Sequence, residues 1–582
     1  MKASPPQPPG QASALATARG LIAGLVQGGV RHLVLAPGSR NAPLVYAAVE
    51  AAAGGHLALT VRTDERVAGF VALGLTAGLS QGGRAMAAVA TTSGTAVANL
   101  HPAVMEAAAA RLPLIALSAD RPAELHGVGA NQTTDQRGVF GAAPVWAKTL
   151  AAGLPAADAR AAAAAATAAA AGLNSGQPGP AHLNIQFREP LVPDPPWPPA
   201  LAPAPAAAAA PAAAAAAALG GGGSPDRPRL AGQLLPAALQ RGPRTLVVAG
   251  FGAGPAAAQL ALAAGWPLVA EPASGSWWGD NCVPAGRLAV ALLGEAVERL
   301  VVYGRPVLSR PVARLAQDRG LEQIVVHPGG GGWFDLGRVA RRVVSAVAAP
   351  AEPPTRAERD WLGGWLRAGR AAWDCLAARP FPAGPAIAAQ VAGAAAADGG
   401  RLVVGSSSAI RDLDLVPAPA PALAVAAMRG VAGIDGTIGF ASGLDLAAAD
   451  GAVTRVLLGD LALAHDAGAL LLPDSEMRPN LQVIVLQDGG GGIFETLEVA
   501  RPGLEAAFER FFASPISPDF EAIARAYGAG FSQAKTAAQL DAALRQPPPG
   551  LSLVAVRLER AARRGLEEEV VRLSRNGLGL PS

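Results

Sequence analysis

The sequence predicts an α/β protein made of three doubly wound domains, each a parallel sheet covered by helices on both faces. Three observations predict it. Short apolar runs alternate with Ala- and Leu-rich stretches of helical length along the chain, the pattern of parallel strands buried on both sides. The length of 582 residues allows three or four domains at roughly 150 residues each. The alternation is interrupted twice by Pro- and Ala-rich sequence, which divides it into three blocks.

In the first block, Arg31–Ala36, Leu57–Val61, Ala85–Thr91, Leu112–Ser118 and His182–Phe187 read as buried strands. Pro and Ala then dominate Pro193–Ala218, followed by Gly220–Gly223 and Pro225. This reads as a linker, partly polyproline-like and partly flexible. The second block opens at Arg244–Gly250 and runs through Ile324–Pro328. After Ala348–Pro354 the third block has strands near Leu402–Gly405, Leu423–Met428, Val456–Gly459, Leu481–Leu486 and Leu551–Val556. The expected domains are 1–192, 231–350 and 351–582, with the linker over 193–230.

Composition excludes several classes. Hydrophobic residues make up 51% of the chain, so its 70 Gly and 51 Pro do not signal whole-chain disorder. The net charge of +3, with Lys2, Lys148 and Lys535 as the only lysines and no basic run, argues against a nucleic-acid surface. Two cysteines, Cys282 and Cys375, make neither a disulfide framework nor a zinc site. The opening MKASPPQPPG lacks the apolar core of a secretory signal, and the Ala tract Leu201–Leu219 is broken by Pro203, Pro205 and Pro211, so no membrane span is expected. A soluble cytoplasmic protein is the expectation.

Four places carry candidate chemistry. Glu65 lies in Asp64-Glu65-Arg66, after a strand and at the start of the helix Val67–Gly78. An acid there is accounted for equally by the helix dipole. Thr91-Thr92-Ser93-Gly94 occupies another strand-to-helix junction, where free N–H groups and hydroxyls could hold an anion or a ring nitrogen. N-capping by Ser93 explains it as well. Asp460 ends the strand VLLGD, and Asp488 ends the next one, in VIVLQDGGGG. Two strand-end carboxylates beside glycines suit a hard cation on a diphosphate, and two loop acids that never meet are the bland alternative. Arg40, Arg121, Arg310 and Arg429 sit in loops rich in Gly, Pro and Asn. Each alone reads as a surface residue, but four at strand ends suit a substrate rich in carboxylates. Val248–Glu271, with Gly250 and Gly252, imitates a dinucleotide fingerprint but has Pro255 where the third glycine belongs, and a plain strand–turn–helix unit is expected.

The strings PGSRNAPL, TDERVAGFVALGL, TTSGTAVANLHPAVMEA, ADRPAELHGVGANQTTDQ, PAHLNIQFREPL, RGVAGIDGTIGFASG, GDLALAHDAGALLL and GGGIFETL occur in this order over about residues 11 to 560. Together they resemble the 2-succinyl-5-enolpyruvyl-6-hydroxy-3-cyclohexene-1-carboxylate synthases of menaquinone biosynthesis (the MenD family), which are thiamine-diphosphate enzymes. The resemblance implies a pyrimidine-binding domain, a central domain without a nucleotide role, and a diphosphate-binding domain. It also implies a homodimer or homotetramer with active sites between subunits. The implied reaction is decarboxylation of 2-oxoglutarate and addition of the succinyl carbanion to isochorismate.

By motif, Glu65 would hydrogen-bond N1′ of the aminopyrimidine, a role that needs a dry pocket. Thr92, Ser93, Gly94, Gly459 and Ile493 would line the cofactor. Asp460, Asp488 and the Gly490 carbonyl would hold Mg²⁺, or Mn²⁺, on the diphosphate. Arg40, Arg121 and Arg429 would bind substrate carboxylates with Ser39 and Gln132 as polar helpers, and Arg310 falls where the family has a basic residue. The chain departs from the family pattern at Gln487-Asp488, where paired asparagines are usual, at Met428, and at Ser406-Ser407-Ser408. A related carboligase or 2-oxoacid decarboxylase of the acetolactate-synthase kind would need an apolar pocket in place of the arginines. A non-catalytic homologue would have lost Glu65 or the metal carboxylates.

Overall fold

The computed structural model describes residues 11–80, 85–194, 197, 234–329 and 332–579. Most of the expected linker over 193–230 lies outside the described residues. The chain divides into two compact units. The first comprises Met1–Arg227, Gly430–Gly451 and Asp466–Pro479; the second comprises Pro228–Arg429, Ala452–His465 and Asn480–Ser582.

The first unit holds β1 (Val30–Leu35), β2 (Ala58–Val61), β3 (Met86–Thr91), β4 (Leu114–Asp120), β5 (Trp146–Leu150) and β6 (Ala181–Gln186). They form one parallel sheet in the order β2-β1-β3-β4-β6-β5. Strands β3 and β4 are buried at every position, as strands covered on both faces must be. The order reverses between β1 and β3, so the loops after these two strands border the crevice in which doubly wound sheets bind ligands.

The helix Glu65–Ser80 crosses the helix Thr437–Ala448 in this unit at very short range. A Cβ at Gly74 would lie 1.9 Å from the Phe440 carbonyl oxygen, and one at Gly443 would lie 2.0 Å from that of Val71. Glycines on both helices therefore let the two backbones touch, which fixes the register of the helix that begins at Glu65.

The second unit contains a short ribbon of β7 (Ala237–Ala238) with β13 (Val347–Ala348) and two larger parallel sheets. The middle sheet consists of β8 (Thr245–Ala249), β9 (Leu268–Ala270), β10 (Arg299–Tyr303), β11 (Glu322–Val326) and β12 (Arg342–Val344), ordered β12-β11-β10-β8-β9. The last sheet holds β14 (Arg401–Val404), β15 (Ala424–Ala426), β16 (Thr454–Gly459), β17 (Leu481–Gln487), β18 (Gly530–Ala534) and β19 (Leu551–Arg557), ordered β15-β14-β16-β17-β19-β18. It reverses between β14 and β16, which again points to the loops after two particular strands. The three parallel sheets give the α/β class that the alternation predicts.

Candidate active site

In the first unit the crevice is bordered by Pro37–Arg40 after β1 and by Thr92–Gly94 after β3. These loops touch: a Cβ at Gly38 would lie 2.3 Å from that of Thr92. Gly94 has φ +83, a left-handed conformation open to glycine, and it caps the short helix Thr95–Ala98 through its backbone. Ser93 makes no cap. Its fully buried hydroxyl instead accepts a hydrogen bond from Arg121 Nη1 and donates to the Gln132 carbonyl at 3.2 Å. Arg121 Nη1 also donates to that carbonyl at 2.7 Å, and Gln132 Nε2 donates back to the Ser93 carbonyl at 3.0 Å.

Arg40 is buried, donates to the Phe187 carbonyl at 3.0 Å and keeps an unpartnered Nε. Its proton affinity is lowered by burial first and by the nearby charge of Arg121 second. Glu189 and Asp120 act in the opposite direction, so the two guanidiniums sit near each other, largely out of water, with acids in reach, and they suit an anionic ligand. Ser39 is exposed at the rim.

Asp64 does the helix capping that Glu65 might have done: its Oδ1 accepts from the Arg66 N–H at 2.8 Å and the Val67 N–H at 3.3 Å. Glu65 is left half-buried, with Asn99 Nδ2 donating to its Oε2 at 3.3 Å. A side chain relieved of the structural task is available for chemistry.

In the second unit Asp460 follows β16 and is fully buried. Its Oδ2 accepts from the Gly489 and Gly490 N–H groups at 2.8 and 3.2 Å, and its Oδ1 from the Leu461 N–H at 2.7 Å. Burial raises its pKa and these amides oppose the rise. Asp488 follows β17 and is pushed up to about 6, chiefly by burial; Arg563 opposes the shift, and Asp460 adds to it. Arg563 bridges two acids, 3.7 Å from Asp488 and 2.7 Å from Asp412. Arg560 braces the glycine loop by donating to the Gly489 carbonyl at 3.3 Å and to Glu495 at 2.9 Å.

A Cβ at Gly459 or Gly489 would meet nothing within 4 Å, so the space beside these acids is open. The Gly490 carbonyl accepts one bond, from the Gly492 N–H at 2.9 Å, and retains its second lone pair. Among the described residues no three His, Cys, Asp or Glu side chains gather as a metal site. Two neighbouring carboxylates that burial makes reluctant to ionise, with a carbonyl and open space, are the donor set of a hard cation completed by phosphate oxygens and water. The residues fit a metal diphosphate. Ile493 follows in the 3₁₀ turn Gly492–Thr496, half-buried.

Arg429, also in this unit, donates to the Ser406 carbonyl at 3.0 Å. Arg411, whose role the sequence did not disclose, approaches the same carbonyl at 3.4 Å and donates to that of Ser407 at 2.9 Å. Burial lowers Arg411 to about 10, Arg429 pushes it the same way, and Asp414 and Glu567 oppose the shift, so here too two cations stand near each other. At the Met428 departure the backbone does the work: Ser406 Oγ donates to the Met428 carbonyl at 2.6 Å. Arg310 stands apart from this group as a surface residue, its side chain 58% exposed and paired with Glu498 at 3.0 Å.

Residues 15–139 match the family described as thiamine pyrophosphate enzyme, N-terminal TPP binding domain. The chain is 45% identical to the 2-succinyl-5-enolpyruvyl-6-hydroxy-3-cyclohexene-1-carboxylate synthase of Kineococcus radiotolerans over 93% of this chain and 95% of that one. The chain belongs to this synthase family. The synthases of Renibacterium salmoninarum and Nocardioides sp. are 41% and 43% identical, over 95% and 97% of this chain and 96% and 98% of theirs. Membership makes the chain a thiamine-diphosphate-dependent transferase of the carboligase type, working with a divalent metal ion. Among the described residues no helix is long and apolar enough to cross a membrane.

Proposed function

We propose that this synthase decarboxylates 2-oxoglutarate and adds the resulting succinyl unit to isochorismate in the cytoplasm, with Mg²⁺ as the metal and Mn²⁺ as a substitute. The observation that carries the reading is the pair Arg40 and Arg121, buried near each other at the sheet's reversal and backed by Ser93 and Gln132.

When bound, thiamine diphosphate supplies the electron sink that lets a 2-oxo acid lose CO₂ and pass on its acyl carbon. Thr92, Ser93 and Gly94 would line the aminopyrimidine, and Glu65 would hydrogen-bond its N1′. Gly459 and Ile493 line the diphosphate, while Asp460, Asp488 and the Gly490 carbonyl hold the metal. Arg40, Arg121 and Gln132, with Ser39 at the rim, receive one anionic substrate. Arg429 and Arg411 receive carboxylates too, and Arg310 adds long-range attraction after leaving Glu498.

Residues 1–192 serve as the pyrimidine domain, 231–350 as the central domain and 351–582 as the diphosphate domain, joined by the 193–230 linker. A homodimer with its sites between subunits is part of the reading, with a homotetramer as its pairwise extension. The support is Glu65 itself: its role requires a dry pocket, and the chain alone leaves it half-exposed.

The test is consumption of 2-oxoglutarate and isochorismate with thiamine diphosphate and Mg²⁺, in wild type and Glu65→Gln. Coupled loss of both substrates with CO₂ release is expected, and kcat should fall ~10²- to 10⁴-fold in the variant, the usual worth of a positioned proton-transfer group. CO₂ release without isochorismate consumption would favour a general 2-oxoacid decarboxylase.

A further inference from the structure

The first unit buries more polar side chains beside its sheet reversal than the cofactor and substrate contacts use. Ser118, Asp120, Gln136, His182 and Asn184 are all withdrawn from water. In a strand buried on both faces, polar residues persist only when their hydrogen bonds are met. Here the bonds form a continuous path. Gln136 Oε1 accepts from the Gly94 N–H at 3.0 Å, and Gln136 Nε2 donates to Asn184 Oδ1 at 2.8 Å and to the Ala119 carbonyl at 3.3 Å. Asn184 Nδ2 donates to Asp120 Oδ2 at 2.9 Å, and Asp120 Oδ1 accepts from the Arg121 N–H at 2.8 Å. One end of the path is the turn assigned to the cofactor; the other is the arginine assigned to the substrate.

We infer that Gln136 is a positioning residue that ties the cofactor turn to Arg121, so that the cofactor and the anionic substrate at Arg121 are held by one rigid element. The inference rests on the roles proposed above for Gly94 and Arg121. A side-chain amide suits this point because one group must accept from a backbone N–H while the other donates to an amide oxygen. A carboxylate could do the first and not the second. Gln136 also anchors the end of the loop whose other end, Gln132, takes the left-handed backbone (φ +55) and gives its carbonyl to both Ser93 and Arg121. Loss of the Gln136 amide thus frees two supports of Arg121 at once, its backbone through Asp120 and its guanidinium through Gln132.

The experiment compares Gln136→Met, which keeps the volume, Gln136→Glu, which keeps the acceptor, and Arg121→Ala as reference, all in the full chain. Three quantities are measured: thiamine diphosphate affinity by calorimetric titration with Mg²⁺, KM for whichever of 2-oxoglutarate and isochorismate Arg121→Ala affects, and melting temperature. Gln136→Met is expected to weaken both cofactor affinity and KM about tenfold, the usual effect of leaving a buried polar group without its partner. Gln136→Glu should keep cofactor affinity within about threefold while its KM rises with pH more steeply than that of wild type, because the ionised side chain cannot donate to Asn184. A purely structural role would lower the melting temperature of both variants and leave that pH profile parallel to wild type, and this result would overturn the inference. So would a KM within twofold of wild type in Gln136→Met while Arg121→Ala raises it, which leaves the substrate assignment standing. If Arg121→Ala also leaves KM unmoved, the assignment itself fails and the inference goes with it. Should Gln136→Met not fold, the pH profile of Gln136→Glu decides alone.

Discussion

The middle and last sheets of the second unit share the same doubly wound logic, and they differ in what occupies the crevice where strand order reverses. In the last sheet, Gly459, at the end of the reversal strand β16, and Gly489, after its neighbour β17, face open space, and Asp460 and Asp488 lie beside them. In the middle sheet, the reversal lies between β8 and β10, and the chain's own backbone fills it: a Cβ at Gly250 would lie 2.0 Å from the Pro306 nitrogen, and Phe251 bridges to Arg305. Each sheet also sets a buried carboxyl at a strand end. Asp460 and Asp488 stand beside open space, whereas Glu271, after β9, accepts from the Leu308 N–H at 2.7 Å and fastens the plugging loop. A fold supplies a crevice, but the residues at the strand ends decide whether it becomes a site.

The largest effect should come from breaking the open side. Asp460→Asn removes a charge from the cation site and turns an amide donor toward amides that now donate to a carboxylate. Metal affinity should fall more than ~100-fold, beyond what losses of outer supporting groups cost, as read by metal titration of thiamine diphosphate binding. Affinity within tenfold of wild type would move the metal away from this acid.

Breaking the closed side should cost less. Gly250→Ala forces a methyl group into backbone, and overpacking of that kind costs about 2 kcal/mol, some 30-fold in the unfolding equilibrium. Chemical denaturation followed by tryptophan fluorescence measures it. An unchanged midpoint would mean that the plug yields easily and that the crevice is closed only loosely.

A pH effect tests the same plug through Glu271. Burial, assisted by Asp414, pushes Glu271 up to about 8, so the native chain holds this proton more tightly than the unfolded chain does. Its contribution is fully present below the ordinary glutamate range and is lost as pH rises through about 8. Between about pH 5 and 8 the stability that this group contributes should therefore decline as pH rises. Glu271→Gln keeps the acceptor for Leu308 and removes the titration. Its stability curve should be flatter over this range, and parallel curves would show that Glu271 does not hold the proton.

The sequence disclosed the strands that are buried on both faces, because β3, β4, β16, β17 and β19 each carry an apolar core run: MAAVA, LIAL, VLL, VIVL and LVAV. It hid β5 and β18, edge strands whose Ala147, Lys148, Ser532 and Gln533 are exposed and interrupt the pattern. Strand β10 was hidden for a different reason: Arg299–Tyr303 is apolar and buried throughout, but the second block was located only by its two ends. Glu65, Asp460 and Asp488 were legible as strand-end acids. Gln136, Asn184, Arg411 and Glu271 were not, since a buried polar residue acquires meaning from partners distant in sequence. One signal was present: His182 and Asn184 interrupt a strand that should otherwise be apolar on both faces.

The smallest effect is an expected absence of change, and it tests the comparison most directly. The stretch from Gly250 to Glu271 looks like half of a dinucleotide site, with a strand, a glycine turn, the helix Ala256–Ala264 and an acid at the next strand end. A true site would leave the helix N-terminus open to a diphosphate. Here Pro255 caps the helix without an N–H to offer, the Arg305–Pro306 backbone lies against Gly250, and Glu271 is committed to Leu308. A ligand present at 100 times its Kd stabilises a protein by about 2.7 kcal/mol, which a melting curve resolves. NAD or FAD at millimolar concentration should leave the melting temperature unchanged, whereas thiamine diphosphate with Mg²⁺ should raise it. A rise with either dinucleotide that Gly250→Ala abolishes would show that the plug opens, and the contrast between the two sheets would become one of gating.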